Sequence, residues 1–163
     1  MLSEHFSLDH IDRKIVEIIQ EQPNLTHTKI AKKVNRSQPT VGMRIKKLEE
    51  AGILEYQAGL NLKKVDIQLA KVTFQTENEE KISSIIQQCP NLIHAYKVSG
   101  EDNFLVVAGC ESFKDLDKVV NYHFRSDPEV RNVRMEIFSD IINEFVLRVE
   151  FGTKDCACFK KNK

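Results

Sequence analysis

Apolar residues recur at helical spacing three times in the first third of the chain, which predicts three short amphipathic helices. The three stripes comprise Leu8, Ile11, Ile15, Ile18 and Ile19, then Ile30, Ala31 and Val34, then Val41, Ile45 and Leu48. Small polar residues stand where each helix needs a cap: Ser7 or Asp9 for the first, Thr26 for the second and Ser37 for the third. Gly52 follows the third stripe and is typical of a helix end.

Beyond residue 62 the pattern changes to the alternation that is typical of half-buried strands. In chain order we predict a strand over 70–74, a helix over 82–89, strands over 92–99 and 104–110, a helix over 113–124, a strand over 133–137 and a further strand over 145–151. The almost continuous apolar run over 104–110 predicts a central strand. The order βαββαβ predicts a ferredoxin-like sandwich with an added C-terminal strand.

The chain therefore divides into three predicted parts of an α+β protein. Residues 1–62 form a winged helix-turn-helix whose extended segment, 53–60, is a wing or a dimer-forming strand. Residues 63–151 form the ferredoxin-like domain, and the aperiodic residues 152–163 form a flexible tail. We also expect the apolar faces of strands 70–74 and 133–137 to be buried between two copies of this domain, which predicts a homodimer or larger homo-oligomer.

Composition narrows the class of protein without changing this division. A length of 163 residues with 41% hydrophobic content accommodates two small domains, and 24 basic residues balance 24 acidic ones. Four cysteines are too few for a disulfide scaffold. No apolar run approaches the roughly 20 residues of a membrane span, and the N-terminal residues do not resemble an export signal. We expect a cytoplasmic protein with no membrane partner.

Basic residues concentrate around the second and third predicted helices. Residues 22–48 hold seven Lys or Arg residues and no Asp or Glu, although the chain has no net charge. One interpretation is a set of ordinary solvated helix charges. The two helices flanking Asn35–Ser37, together with the missing acidic residues, favour a helix-turn-helix that lies against the phosphates of double-stranded DNA.

The third helix is the expected reading helix. With Val41, Ile45 and Leu48 turned inward, its outer face is centred on Pro39, Gly42, Met43 and Lys46, and Arg44 lies nearer the core boundary. Its N-terminal half is expected to meet base edges, while its basic residues hold phosphates without reading sequence. Gln38 is expected to pair with adenine, Thr40 to hydrogen-bond a base or a phosphate, and Met43 to lie against a thymine methyl. The predicted DNA-contacting set is Arg36, Ser37, Gln38, Thr40, Met43, Arg44, Lys46 and Lys47.

Several short motifs of the chain resemble those of the Lrp/AsnC (feast/famine) transcription regulators. They are Leu8-Asp9 with Asp12–Ile15, then Ala31, Ser37, Val41, Arg44, Leu48-Glu49, Gly52-Ile53 and Tyr56, then Val98–Glu101 before Phe104-Leu105. The resemblance covers residues 7–150. It implies a DNA-binding regulator whose second domain assembles the protein and binds an amino acid.

The turn after the second predicted strand is where the resemblance places an effector. Gly100, Glu101, Asp102 and Asn103 offer a glycine-containing turn and acidic groups for a ligand ammonium. Family members usually have an aromatic residue where Asp102 stands and a second acidic residue where Asn103 stands. Threonines often found in the family's fourth strand are absent from residues 131–138. The alternative is a tight strand connection with ordinary turn chemistry.

The spacing of the cysteines and histidines along the chain does not predict a metal site. Cys156 and Cys158 supply half of a tetrahedral set, so a second chain would have to complete it, and we expect inert thiols in the tail. The remaining cysteines, Cys89 and Cys110, lie among apolar residues and are expected in the core. Structural roles are expected for His94 and His123. No metal and no cofactor is predicted.

Two other classes of function remain open. Sirohaem-decarboxylase enzymes resemble the same two-domain arrangement, and His94 and His123 are the local residues that would support such an enzyme. An assembly protein with a vestigial DNA-binding domain is the third possibility. The acid-free basic helix favours the regulator over both, so no catalytic residue is predicted.

Overall fold

The computed structural model describes residues 7–143, 145–149 and 156–160. The chain forms two compact units, Met1–Tyr56 and Gln57–Lys163. The first holds helices α1 (His10–Glu21), α2 (His27–Val34) and α3 (Gln38–Glu50). The second holds strands β1 (Leu60–Asn61), β2 (Gln68–Gln75), β3 (Leu92–Lys97), β4 (Phe104–Cys110), β5 (Arg131–Ile137) and β6 (Val146–Leu147), with helices α4 (Glu79–Gln88) and α5 (Phe113–Val120).

Each helix of the first unit begins at a predicted cap. Asp9, rather than Ser7, caps α1 in a reciprocal capping box: its carboxylate accepts the Asp12 N–H at 2.8 Å, and the Asp12 carboxylate accepts the Asp9 N–H at 3.2 Å. The Thr26 and Ser37 hydroxyls accept backbone N–H groups at the starts of α2 and α3. The predicted stripes form one core, whose buried members are Ile15, Ile19, Ile30, Ala31, Val34, Val41, Ile45, Leu48 and Leu54.

The second unit is built on a four-stranded antiparallel sheet in the order β3-β4-β2-β5. The apolar β4 occupies a central position, as its sequence predicts. Buried residues of β2 and β4 pack together with those of α4 and α5 in one core. Phe74 lies at its centre, fully buried and stacked on Phe104 and Phe124 at ring-centroid distances of 5.5 and 4.6 Å.

The predicted dimer face is wrong, because the chain buries it itself. Ala70, Val72 and Phe74 belong to the intramolecular core, and Met135 of β5 pairs with Val72 and packs on the same core. Residues alternate across a strand, so the opposite face of the sheet carries the intervening side chains. On that face lie the half-buried Leu105 and Val107 and the exposed Tyr96.

The predicted C-terminal strand does not join the main sheet. Within the described residues it is reduced to Val146–Leu147, which pairs antiparallel with Leu60–Asn61 in a separate two-stranded sheet. A Cβ on Gly59 would lie 2.6 Å from the backbone of Leu147, so glycine permits this close approach. The predicted boundary after residue 62 assigns β1 to the first unit, whereas its paired strand lies in the second. Phe151, the predicted end of the strand, is outside the described residues.

Part of the expected flexible tail is folded. Ala157–Phe159 form a 3₁₀ turn in which Cys158 is buried. The Lys118 ammonium of α5 lies 5.4 Å from the centre of the Phe159 ring. Residues 152–155 and 161–163 of the predicted tail lie outside the described residues. The expectation of a flexible tail is therefore wrong for residues 156–160.

Candidate nucleic-acid interface and effector turn

The turn between α2 and α3 fixes where the candidate reading helix begins. Asn35 adopts the left-handed conformation with φ 52°, which its short polar side chain tolerates. The Arg36 N–H donates to the Ala31 carbonyl at 3.0 Å, and the Arg36 guanidinium donates to the Asn35 carbonyl at 2.8 Å. Ser37 then caps α3. The turn thus reverses the chain tightly and leaves Arg36 exposed beside the start of α3.

The outward face of α3 largely follows the sequence-based expectation. Gln38, Met43, Lys46 and Lys47 are exposed, and Met43 retains 68% of its accessible surface. An apolar side chain left this open on a basic helix is suited to contact with a thymine methyl. Lys46 lies 3.6 Å from Glu50, a solvent-exposed pair one helical turn apart that contributes little to stability.

Two residues of this face lie differently from the expectation. A Cβ on Gly42 would lie 3.3 Å from Nδ1 of His27, so Gly42 lies beneath α2 and is not at the centre of an open surface. The Thr40 hydroxyl is 2.7 Å from the Ser37 hydroxyl and is half-buried. Its side chain therefore takes part in the helix cap. The exposed part of the face is therefore formed by Gln38, Met43 and Lys46.

Arg44 is engaged inside the first unit. Its guanidinium Nη1 donates to Asp9 at 2.7 Å and to Asp12 at 2.6 Å, which joins α3 to the capping box of α1. The Asp12 N–H and then Arg44 lower the pKa of the Asp9 carboxyl to about 2. The Arg44 charge is thus already balanced by two carboxylates. We therefore assign Arg44 to holding α1 against α3, in place of the phosphate contact expected from sequence.

A pH-dependent stability effect is expected at Asp9. Because its folded-state pKa is lowered, its contribution is present above about pH 4, the unfolded value, and is lost as the pH falls through about 2. Asp9→Asn keeps a good capping side chain and removes the charge. The variant should be less stable than the parent protein at pH 6, and the difference should vanish near pH 2. Urea unfolding across this range measures it.

Glu17→Gln is the matched control for this measurement, since Glu17 is an exposed acidic residue on the same helix. Its stability should track that of the parent protein at every pH. An Asp9→Asn difference that stays constant down to pH 2 would contradict the assigned role of the Asp9 charge.

The candidate effector turn is held by contacts to neighbouring strands. Gly100 has φ 144°, and the Val98 N–H donates to the Asn103 carbonyl at 3.0 Å. The Asn103 side chain accepts the Thr76 N–H at 3.0 Å and donates to the Thr76 carbonyl at 2.6 Å. Asn103 therefore clamps the turn to the end of β2. The amide side chain of Asn103 can accept and donate at once, which both bonds to Thr76 require.

Asp102 is paired as well. One carboxylate oxygen contacts the Arg134 guanidinium of β5, while Oδ1 is buried and has no hydrogen-bond partner among the described residues. The exposed Glu101 is thus the more accessible acid of the turn. The expectation that Asp102 offers a free anion to a ligand ammonium is corrected by its pairing with Arg134.

A surface cleft of about 770 Å³ adjoins this turn. Of the four predicted effector residues, Asn103 lines it within the described part of the chain. The remaining lining residues are Gln75, Thr76, Glu77, Asn78, Glu79, Glu80, Pro128, Glu129 and Arg131. Glu79 pairs with Lys97 and Glu129 with Lys81, so Glu77 and Glu80 supply the remaining acidic charge of the lining beside Arg131.

The structure also brings together cysteine and histidine residues that lie far apart in the sequence. Cys89, His123, Cys156 and Cys158 lie in one cluster, so the expectation that a second chain would have to complete a set around the tail cysteines is wrong. The Cys-Ala-Cys pair was the available signal in the sequence. The expectation of a core position is confirmed for Cys89 and for Cys110, where burial raises the thiol pKa to about 12. His94 is exposed on β3.

No helix in the described part of the chain is long and apolar enough to cross a membrane.

A basic tri-helical unit with an open reading helix, joined to an antiparallel αβ sandwich, defines a two-domain DNA-binding regulator. Residues 8–55 match the family model for winged helix-turn-helix DNA-binding domains, and residues 67–145 match that of the Lrp/AsnC ligand-binding domain. The chain belongs to the Lrp/AsnC family of transcription regulators.

Individual relatives agree with this assignment. The transcriptional regulator LrpC of Bacillus subtilis is 27% identical over 138 residues, covering 82% of this chain and 94% of LrpC. An uncharacterized HTH-type transcriptional regulator of Pyrococcus furiosus is 32% identical over 117 residues, covering 69% and 79% of the two chains. A Neisseria meningitidis transcriptional regulator, solved as a complex with L-Met, has the same fold, with a TM-score of 0.75, 23% identity and coverage of 85% and 94%. These comparisons give no support to the sirohaem-decarboxylase alternative.

Proposed function

We propose that this protein is a homodimeric, sequence-specific DNA-binding transcription regulator whose second unit binds a small amine-bearing effector. The exposure of Gln38, Met43 and Lys46 on α3, within an acid-free basic segment, is the observation that carries the proposal. In this arrangement Gln38 and Met43 meet base edges. Arg36, Lys46 and Lys47 hold phosphates, and the capped N-terminus of α3 at Ser37 and Thr40 approaches the DNA backbone.

The open face of the β3-β4-β2-β5 sheet supports the homodimer. It carries the exposed Tyr96 beside the half-buried Leu105 and Val107, flanked by the Lys71–Glu136 ion pair at 2.6 Å. A central apolar strip with charged margins is typical of a protein–protein interface. Two copies packed through this face would place two reading helices on one DNA site, as a two-fold related operator requires.

The charge near the Gly100 turn supports the effector part of the proposal. Glu77 and Glu80 line the cleft beside Asn103 and would attract an ammonium, and Glu101 is exposed on the turn itself. One short turn cannot enclose an amino acid, so a second chain would have to complete the pocket. The L-Met bound in the Neisseria meningitidis structure makes amino acids the first class to test.

Paired substitutions on α3 test the DNA-binding function. Gln38→Ala should cost about 1–3 kcal/mol on the best operator and little on random DNA, because it removes a base contact. Lys46→Ala should weaken binding to both similarly, because it removes a phosphate contact. Operators are selected from a random library with the purified protein, and affinities are then measured on selected and random duplexes.

The opposite pattern for the two variants would show that α3 lies in the groove at a different rotation. Equal affinity of the parent protein for selected and random DNA would overturn sequence-specific binding altogether. Adding each of the twenty amino acids to the same assay tests the effector. An unchanged affinity and unchanged sedimentation with all of them would remove the amino-acid part of the proposal.

A further inference from the structure

Three sulfur atoms and one imidazole nitrogen meet at a single place in the second unit. The ligand atoms of Cys89, His123, Cys156 and Cys158 all lie within 4.8 Å of one another. The sulfurs of Cys89 and Cys156 are 3.5 Å apart. Ligands at the corners of a tetrahedral zinc site, with the usual bond lengths, are separated by about 3.5–3.8 Å. The cluster therefore already has nearly the size of such a site.

Three separate parts of the fold contribute to the cluster. Cys89 lies at the C-terminal end of α4, which stops before Pro90. A π-helical turn over Asn121–Arg125 continues α5 and carries His123. Single π-helical turns are uncommon and are often found at functional sites. Cys156 and Cys158 flank the first residue of the 3₁₀ turn. A ligand held here would join the C-terminal segment to both helices.

The surroundings of the four side chains suit a metal ion better than isolated thiols. The Nε2 atom of His123 is buried and has no hydrogen-bond partner among the described residues, so this nitrogen is available to a metal ion. Neutral imidazole is the form that binds metals. The buried Asn91 amide nitrogen lies 4.0 Å from the sulfurs of both Cys89 and Cys158. Outer donors of this kind orient metal-binding thiolates.

We propose that Cys89, His123, Cys156 and Cys158 bind one Zn²⁺ ion, which fastens the C-terminal segment to the second unit. Soft thiolates with an imidazole form the donor set of structural zinc sites, and four protein ligands leave no open position for catalysis. Ligands of a polynuclear iron–sulfur cluster bind different metal ions and cannot converge this closely. The thiol of Cys110, the remaining cysteine, donates to the side-chain oxygen of Asn91 at 3.6 Å and stays outside the set.

Binding has a defined chemical balance. Three thiols release three protons as they ligate the Zn²⁺ ion, and neutral His123 completes the shell, so the site carries one net negative charge. An adjoining cleft of about 400 Å³ includes Lys81 and gives an ion access from solvent. Cys156, Cys158 and Phe159 already pack on the core of the second unit, and the metal would add to the attachment of this short segment.

Metal titration of the full-length protein tests the proposal. Protein purified under reducing conditions and stripped with a chelator is titrated with Zn²⁺ against a competing indicator, and separately with Co²⁺. We expect one ion per chain and the visible absorption of tetrahedral thiolate-bound Co²⁺. Cys156→Ser, at a half-exposed position that tolerates change, should weaken Zn²⁺ binding at least about 100-fold. His123→Ala should do the same.

Cys110→Ser is the matched control, because this cysteine lies next to the cluster without belonging to it. It should retain one Zn²⁺ per chain with unchanged affinity and an unchanged Co²⁺ spectrum. Binding well below one ion per chain, or an affinity unaffected by both Cys156→Ser and His123→Ala in folded protein, would overturn the site. A Cys89–Cys156 disulfide in the reduced preparation, seen as a mass lower by two hydrogen atoms, would also overturn it.

Discussion

Raising the salt concentration from about 50 to about 200 mM is expected to weaken binding of the dimer to its best DNA site about 1,000-fold. Each protomer offers Arg36, Lys46 and Lys47 to phosphates, which gives about six neutralised phosphates per dimer. At about 0.9 counterions released per phosphate, the logarithm of affinity should fall against the logarithm of salt with a slope near −5. Fluorescence anisotropy with a labelled operator measures this slope.

The variants separate phosphate contacts from general charge effects. Lys46→Ala should reduce the magnitude of the slope by about 2, since a dimer loses two contacts. Lys64→Ala changes the same charge at an exposed position in the second unit and should leave the slope unchanged. A parent slope close to zero would exclude the phosphate-binding surface that we place on α3.

Phe74→Ala is expected to destabilise the second unit by about 3–5 kcal/mol, the usual cost of removing a buried aromatic side chain. Phe74 is fully buried and stacks on both Phe104 and Phe124, so its removal opens a cavity that two rings line. Hydrogen exchange followed by mass spectrometry is suited to this test, because it reports on each unit separately. The backbone amides of β4 should exchange far faster, while those of α1–α3 should change little.

The control for this substitution is Phe113→Ala. Phe113 begins α5 but leaves 54% of its surface exposed, so its replacement should change stability by only about 0.5 kcal/mol or less. Similar effects of the two substitutions would mean that the stacked aromatic rings are not the centre of the core.

Local patterns predicted the elements of this fold well. The caps Asp9, Thr26 and Ser37 lie within three residues of the N–H groups that they bind, so the sequence contains both partners side by side. The alternation in β2 and the apolar run of β4 are likewise local. Apolar–polar alternation does not show which face of the sheet packs against helices and which face remains exposed. For that reason the apolar face of Ala70, Val72 and Phe74 was assigned to a second chain instead of the intramolecular core.

Distant partners account for the errors at the candidate sites. Arg44 finds Asp9, its partner, 35 residues earlier, and a helical projection of α3 contains no sign of that acid. Asn103 binds the backbone of Thr76, which has no side-chain signature at all. Cys89 and Cys156 are 67 residues apart and meet only because the tail folds over α4 and the end of α5. The sequence identified Arg44, Asn103 and the cysteines as candidates, but their partners come close to them only in the folded chain.

The pairing of β1 with β6 joins the first and the last strand of the second unit. Leu60 lies opposite Leu147, far later in the chain, so this small sheet can form only after the intervening fold has brought the two segments together. Two paired residues on each strand offer few backbone hydrogen bonds, so this sheet should open at a lower free-energy cost than the four-stranded sheet.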